Sequence, residues 1–260
     1  MNNLENTIVF TIARMNPPTP GHIFLLENMI EKAIDENVTQ INIILSSTVD
    51  NEKNPIECEE KRQILYNYGL NIAKKNVKAK NPDIAYKVDN IRAEIICLND
   101  EIEDKYGKSP VIAKFYYILY NIYKYPRPDI KALLVIGEDR KNDFAFFKKM
   151  LNNMEYPVEF NEFIVPRPEG AISATKIRGL AVSKNPEDEQ TFMDQMNTIG
   201  MDNNEAYRLV KQIRENIDTT PLLTKKKRMR GGKHKRKYTR RTFNKSKKSK
   251  KNKGKKKYNK

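Results

Sequence analysis

Residues 14 to 22 read Arg-Met-Asn-Pro-Pro-Thr-Pro-Gly-His. The stretch ends on His22, one of two histidines in the chain; the other, His234, lies in a lysine-rich tail. Pro17, Pro18 and Pro20 fix φ and remove N–H donors, so the turn is stiff. Gly21 has no Cβ and lets a ligand approach the backbone. His22 then falls in the first turn of the helix that "IFLLENMIEKAIDEN" predicts. Unpaired N–H groups and the positive end of the helix dipole favour an anion there. An imidazole beside a phosphate is the chemistry this spacing suits. An ordinary N-cap on Thr19, with histidine as filler, has the same local sequence.

"EGAISATKIRG", residues 169 to 179, is a second stretch of this kind. Ser173 is placed to cap a helix, with the hydroxyls of Ser173 and Thr175 and the first N–H groups facing outward. Lys176 and Arg178 add positive charge, and the guanidinium of Arg178 can hold two phosphate oxygens in a fork. Taken alone, it reads equally well as a capped helix with a solvated basic face.

Both stretches need a scaffold that holds them together. Apolar, β-branched runs predict strands over 7–15, 39–49, 93–99, 130–137 and 158–167, the last weakened by a polar interior. Between them lie helical patterns. Leu26, Met29, Ile30, Ala33 and Ile34 share one face, as do Ile64, Leu65, Tyr68 and Ile72. Ser109 and Pro110 open a helix rich in aromatics. Its Tyr116, Tyr117 and Tyr120 are able to stack a base but read better as core or dimer surface. Asn185 with Pro186 opens another helix, and Ala206, Leu209, Val210, Ile213 and Ile217 line the last. Strand and helix alternate, which predicts an α/β fold: a Rossmann-like, doubly wound parallel sheet of about five strands, followed by C-terminal helices. In such sheets ligands bind beyond the carboxyl ends of the strands. The loops 14–22, 47–55, 137–143 and 168–178 fall there.

Charge divides the chain. The formal net charge is +16, yet residues 221–260 hold 21 Lys or Arg and no Asp or Glu. The remainder has 28 basic and 33 acidic residues. The expected organisation is an α/β domain over 1–182, helices packing on it over 183–220, and a disordered basic tail over 221–260. The tail favours polyanions through counterion release, with nucleic acid bound without sequence reading as the leading partner. An acidic membrane surface or an import receptor are the alternatives. Cys58 and Cys97 have no metal-type spacing and make no disulfide framework. They are expected to be free thiols in a reducing compartment, with Cys58 a packing residue. No secretory signal and no apolar run of ~18 residues is visible, so a soluble, intracellular protein without a transmembrane segment is expected.

The pair of motifs is more specific than either part. Thr19-Pro20-Gly21-His22 and Ile172-Ser173-Ala174-Thr175-Lys176-Ile177-Arg178 resemble the two signatures of the nucleotidylyltransferase superfamily (cytidylyltransferase-like). These are an H/T-x-G-H motif near the start and an I-S-x-T-x-x-R motif near the end of the Rossmann-like domain. The resemblance spans roughly residues 7 to 182. The R-x-N-P-P-T-x-G-H form is most similar to nicotinamide mononucleotide adenylyltransferase-like proteins, including versions in phages and large viruses. The tail resembles basic extensions of giant-virus proteins, which implies host cytoplasm, nucleus or virion.

The resemblance implies transfer of a nucleotidyl group, adenylyl from ATP before cytidylyl from CTP, to a phosphorylated acceptor such as nicotinamide mononucleotide. Pyrophosphate is released without a covalent enzyme intermediate. By matching position His22 donates to the α- and β-phosphate oxygens. Thr19 stands where many relatives have histidine and contacts phosphate. Ser173, Thr175 and Arg178 hold the β- and γ-phosphates. A Mg²⁺ ion bridges phosphate oxygens without protein ligands. Gly137 and Asp139 match a G-x-D segment near the nucleotide. Arg14 and Asn16 are expected phosphate contacts, and Lys53 or Arg62 is expected at the acceptor phosphate. Two other readings stay open: a cytidylyltransferase acting on a phosphorylated alcohol, and a nucleic-acid-binding protein that keeps the fold as a nucleotide sensor. A class I aminoacyl-tRNA synthetase shares the ancestral motif, but the body is short for one and has no K-M-S-K-S run.

Overall fold

The computed structural model describes residues 5–50, 53–107 and 109–230, with side chains as far as Ile217. Two compact units are present, Met1–Pro221 and Leu222–Lys260. The first is built on five parallel strands: β1 (Thr7–Ala13), β2 (Gln40–Leu45), β3 (Arg92–Ile96), β4 (Lys131–Gly137) and β5 (Glu159–Val165). Their spatial order is β3-β2-β1-β4-β5. All five expected strands form, and the fold is α/β and Rossmann-like. The direction of winding reverses between β1 and β4, which opens a crevice at their carboxyl ends.

The helices are α1 (Pro20–Asp35), α2 (Cys58–Ile64), α3 (Leu70–Lys80), α4 (Ala85–Asn90), α5 (Asp100–Tyr106), α6 (Pro110–Tyr117), α7 (Ala145–Asn152), α8 (Ala174–Val182), α9 (Pro186–Thr198) and α10 (Asn203–Arg230). A π-helical turn, Leu65–Gly69, joins α2 to α3, and a second, Ile118–Ile122, follows α6. α4 and α5 were not foreseen. Each has six or seven residues, too short for an apolar period to stand out.

The core has two layers because β1 is covered on both faces. Ile8, Phe10 and Ile12 face α6 and α7, where Phe10, Phe115 and Phe147 form one aromatic cluster with centroids 4.9 to 5.8 Å apart. Such pairs add about 0.5–1.5 kcal/mol beyond their buried area. Val9 faces the other layer, with Leu26, Met29 and Ile30 of α1, Ile177 of α8 and Phe192 of α9. Ala206, Leu209, Val210 and Ile213 of α10 join that layer. β5 pairs with β4 alone, so its exposed polar residues are those of an edge strand. The aromatic helix is core along Phe115, Ile118 and Leu119, while Tyr120, at the surface, meets Tyr106, Tyr116 and the buried Tyr125. α10 continues to Arg230, into the segment expected to be disordered. The rest of the tail, including its expected nucleic-acid contacts, lies outside the described residues.

One expectation is overturned. Cys58 and Cys97 are not free thiols; they form a disulfide across a separation of 39 residues. Cys97 follows β3 directly, Cys58 opens the helix that follows β2, and β2 and β3 are neighbours. Only that pairing brings the sulfurs together. The inference from free thiols to a reducing compartment falls with it.

Candidate functional site

A cleft of about 470 Å³ lies over the carboxyl ends of β1, β4 and β5. Eleven of the twelve residues expected at a site line it: Arg14, Asn16, Thr19, Gly21, His22, Lys53, Gly137, Asp139, Ser173, Thr175 and Arg178. Arg62 does not. It points away on α2 and pairs with Glu59 at 2.7 Å.

The loop after β1 is forced into shape. Met15 is fully buried and holds φ at +46°, a conformation that costs a bulky residue energy. The Asn16–Pro17 bond that follows is cis. Asn16 then clamps a second loop: its Nδ2 donates to the Ile56 carbonyl at 2.9 Å, and its Oδ1 accepts from the Ile56 N–H at 3.1 Å. Both ends of this amide are used, and the residue is 1% exposed. Asn16 is therefore a brace between loops, and the expected side-chain phosphate contact is replaced by that role.

His22 is oriented by Thr19. The Thr19 N–H donates to Nδ1 of His22 at 3.0 Å, the reciprocal half of a capping box, and the Thr19 hydroxyl lies 2.9 Å from the same nitrogen. A backbone N–H can only donate, so Nδ1 accepts and the neutral ring carries its proton on Nε2. Thr19 is 2% exposed. Its hydroxyl faces His22, away from the role of phosphate contact expected for it. Burial pulls the His22 pKa down to about 4, with Arg167 adding to the fall and Asp139 opposing it. At neutral pH the ring is an uncharged donor on the wall of the cleft, as suits a hydrogen bond to an anion.

This shift has a sign that can be tested. The ordinary histidine pKa is 6.5 and the folded value is lower, so the unfolded chain takes up the proton first. The contribution of His22 to stability is complete above about pH 6.5. It is lost progressively as pH falls towards 4. Urea midpoints measured across that range should fall more steeply for the native chain than for His22→Gln.

Arg178 crosses the site from α8. It is 9% exposed. Its Nη1 donates to the Asn16 carbonyl at 2.7 Å and its Nη2 to the Thr175 hydroxyl at 3.1 Å. Burial lowers its pKa, opposed by Asp50 and aided by Arg14, yet guanidinium stays charged. Ser173 caps α8 by accepting the Lys176 N–H at 3.2 Å. Both hydroxyls thus accept from the protein, which leaves each O–H hydrogen to donate outward. The first turns of α1 and α8 converge on one cleft, and both favour negative charge.

The remaining wall follows β4. A Cβ on Gly137 would stand 2.8 Å from Oδ1 of Asp139, so glycine is what lets that carboxylate fold back over the strand end. Gly137→Ala is expected to push Asp139 out of place and weaken ligand binding about tenfold. Equilibrium titration of nucleotide should detect this, with little change in thermal midpoint. At Gly21 a Cβ would meet Thr19 and Ala171 only at 3.8 and 4.0 Å, so the protein tolerates a side chain there. The space it leaves belongs to the cleft.

Two polar lining residues fall outside the loops expected to form the site. Arg167, from "VPRPEG", donates to the Ala171 carbonyl at 3.0 Å and acts on His22. Its position just past β5 was the available signal. Thr11, on β1, lies on the cleft floor with a buried hydroxyl that has no partner, and nothing in the strand pattern marks it. Among the described residues no group of three His, Cys, Asp or Glu side chains converges on a metal position. A cation would fit here as the companion of a polyphosphate, beside Glu138 and Asp139, not in a cage of protein ligands.

Neither a protein-family model nor a curated protein sequence matches the chain.

Proposed function

We propose that the chain is a nucleotidylyltransferase that binds a nucleoside triphosphate in this cleft and transfers its nucleotidyl group to a phosphorylated acceptor. The observation that carries the reading is the convergence of the neutral His22, with its proton on Nε2, and the fork of Arg178 on one crevice at two helix N-termini. An acceptor phosphate oxygen attacks the α-phosphorus. The bond from that phosphorus to the bridging α–β oxygen breaks, and pyrophosphate leaves with the electron pair. His22 donates from Nε2 to the oxygens on which charge grows. Arg178, with the hydroxyls of Ser173 and Thr175, holds the phosphates that depart. Arg14 and Arg167 add positive charge at the rim, and Lys53 is placed for the acceptor phosphate. Mg²⁺, bound through the phosphates, would neutralise part of their charge. An acceptor phosphate is already an anion, so the step needs no general base.

ATP with nicotinamide mononucleotide is the favoured pair, and CTP with a phosphorylated alcohol the alternative. A pyrophosphate-release screen of the four nucleoside triphosphates against nicotinamide mononucleotide and phosphocholine separates them. Release with one pair supports the reading; no release with any would sink it.

The basic segment 221–260 is proposed as a polyanion-binding arm on its 21 Lys or Arg. Filter binding near physiological ionic strength should find nucleic acid retained by the full chain. A chain ending at Thr224 should release it while keeping its turnover.

A further inference from the structure

The start of α2 is tied down from several sides. Cys58, its first residue, is bonded to Cys97 at the end of β3. Two residues earlier, the N–H and carbonyl of Ile56 are both held by the side chain of Asn16. The Asn16 carbonyl in turn receives Nη1 of Arg178 at 2.7 Å. A continuous path of covalent and hydrogen bonds thus runs from the disulfide to the cation expected on the phosphates.

α2 also brings a buried cation to the end of β2. Lys61 is fully buried and donates to the Ser46 carbonyl at 2.6 Å. Lys114, from α6 and 1% exposed, donates to the neighbouring Leu45 carbonyl. Two buried amines, one from each face of the sheet, meet at the end of β2. Burial lowers both pKa values to about 8, and the charge of Lys61 pushes Lys114 further down. Like charges in a poorly solvated place repel. α2 runs on through the π-helical turn into α3, so its amino-terminal turn is the part that the disulfide fixes.

We propose that Cys58–Cys97 is a thiol–disulfide modification site that sets the affinity of the cleft for polyphosphate, strong when bonded and weak when reduced. The proposal rests on the reading of the cleft as a triphosphate site. A thiolate of a dithiol reductant attacks Sγ of Cys97, the half-buried partner. Cys58 leaves as a thiolate and is protonated. The second thiol of the reductant attacks its own mixed-disulfide sulfur, frees Cys97, and the reductant departs as a cyclic disulfide. Two electrons and two protons pass to the protein. Without the staple, the amino-terminal turn of α2 is released beside two buried like charges, Ile56 leaves Asn16, and the Arg178 fork loses its anchor.

The test uses the full chain, bonded or reduced with dithiothreitol, with thiols counted in each state. Calorimetric titration with pyrophosphate and with ATP should find binding about tenfold weaker after reduction, within the usual range of coupling between sites, and restored on reoxidation. The Cys58→Ser/Cys97→Ser variant should bind weakly in both conditions. Equal affinity in a reduced chain with two free thiols and an unchanged circular dichroism spectrum overturns the proposal. If the reduced chain unfolds, Asn16→Ala in the bonded protein becomes the test; it should reproduce the weaker binding, and unchanged affinity overturns the proposal. If the bonded protein binds neither probe, the triphosphate reading fails and the proposed control of affinity falls with it; equal binding in both states overturns the proposal alone.

Discussion

Replacing His22 with alanine is expected to lower turnover by about two to three orders of magnitude while the protein stays folded. Loss of one preorganised donor to a developing negative charge has that size of effect. Here the donor is well defined. Thr19 occupies Nδ1, so Nε2 carries the proton, and burial keeps the ring neutral. The substitution also removes the partner of the Thr19 N–H, a capping loss of about 0.5–2 kcal/mol. The two effects are read by different measurements. Steady-state pyrophosphate release should collapse, whereas the urea midpoint should fall only by what that capping loss accounts for. The dissociation constant for ATP should change far less than the turnover, because the bond gains strength chiefly in the transition state. A chain whose turnover survives His22→Ala would remove the imidazole from the chemistry.

Arg178→Lys should behave differently, with activity and stability falling together. The guanidinium binds the Asn16 carbonyl and the Thr175 hydroxyl at once. An ammonium on a flexible stem cannot present two donors in one plane. At least one of these bonds is lost at a nearly buried position, which costs about 1–3 kcal/mol of stability. The phosphates lose a planar partner as well, and kcat/KM should fall about 10- to 100-fold. Denaturation and kinetics on the same preparation test the linkage. A large drop in activity with an unchanged urea midpoint would mean that the contacts to Asn16 and Thr175 contribute little to the fold. That division separates a residue whose work lies in the reaction from one that also joins two loops.

Much of this was readable before any coordinates. β1, with every residue from Thr7 to Ile12 buried, is a continuous apolar run because strands covered on both faces need no polar side. α1 begins at Pro20 after Thr19, where missing donors are harmless and a cap is useful. The helix faces of α1 and α10 follow their apolar spacing. Strand-end loops predict a site because open α/β sheets bind ligands there. On that rule the residues of both motifs were placed together from positions some 150 residues apart.

What could not be read depends on direction and on neighbours distant in sequence. Lys61 and Arg62 are adjacent and chemically alike, yet one is wholly buried and the other points outward to Glu59. One residue turns a helix by about 100°, so the phase of α2 against the sheet decides which cation turns inward. Thr19 and Asn16 have the polarity of ligand contacts. Only the packed loops make one the support of His22 and the other a clamp on Ile56. The two cysteines give no pairing signal, because their meeting depends on β2 and β3 lying side by side. Periodicity and turn chemistry are local properties and stand in the sequence. The order of strands, the phase of a short helix and the partner of a buried polar atom are properties of the closed structure, settled only when distant segments compete for the same space.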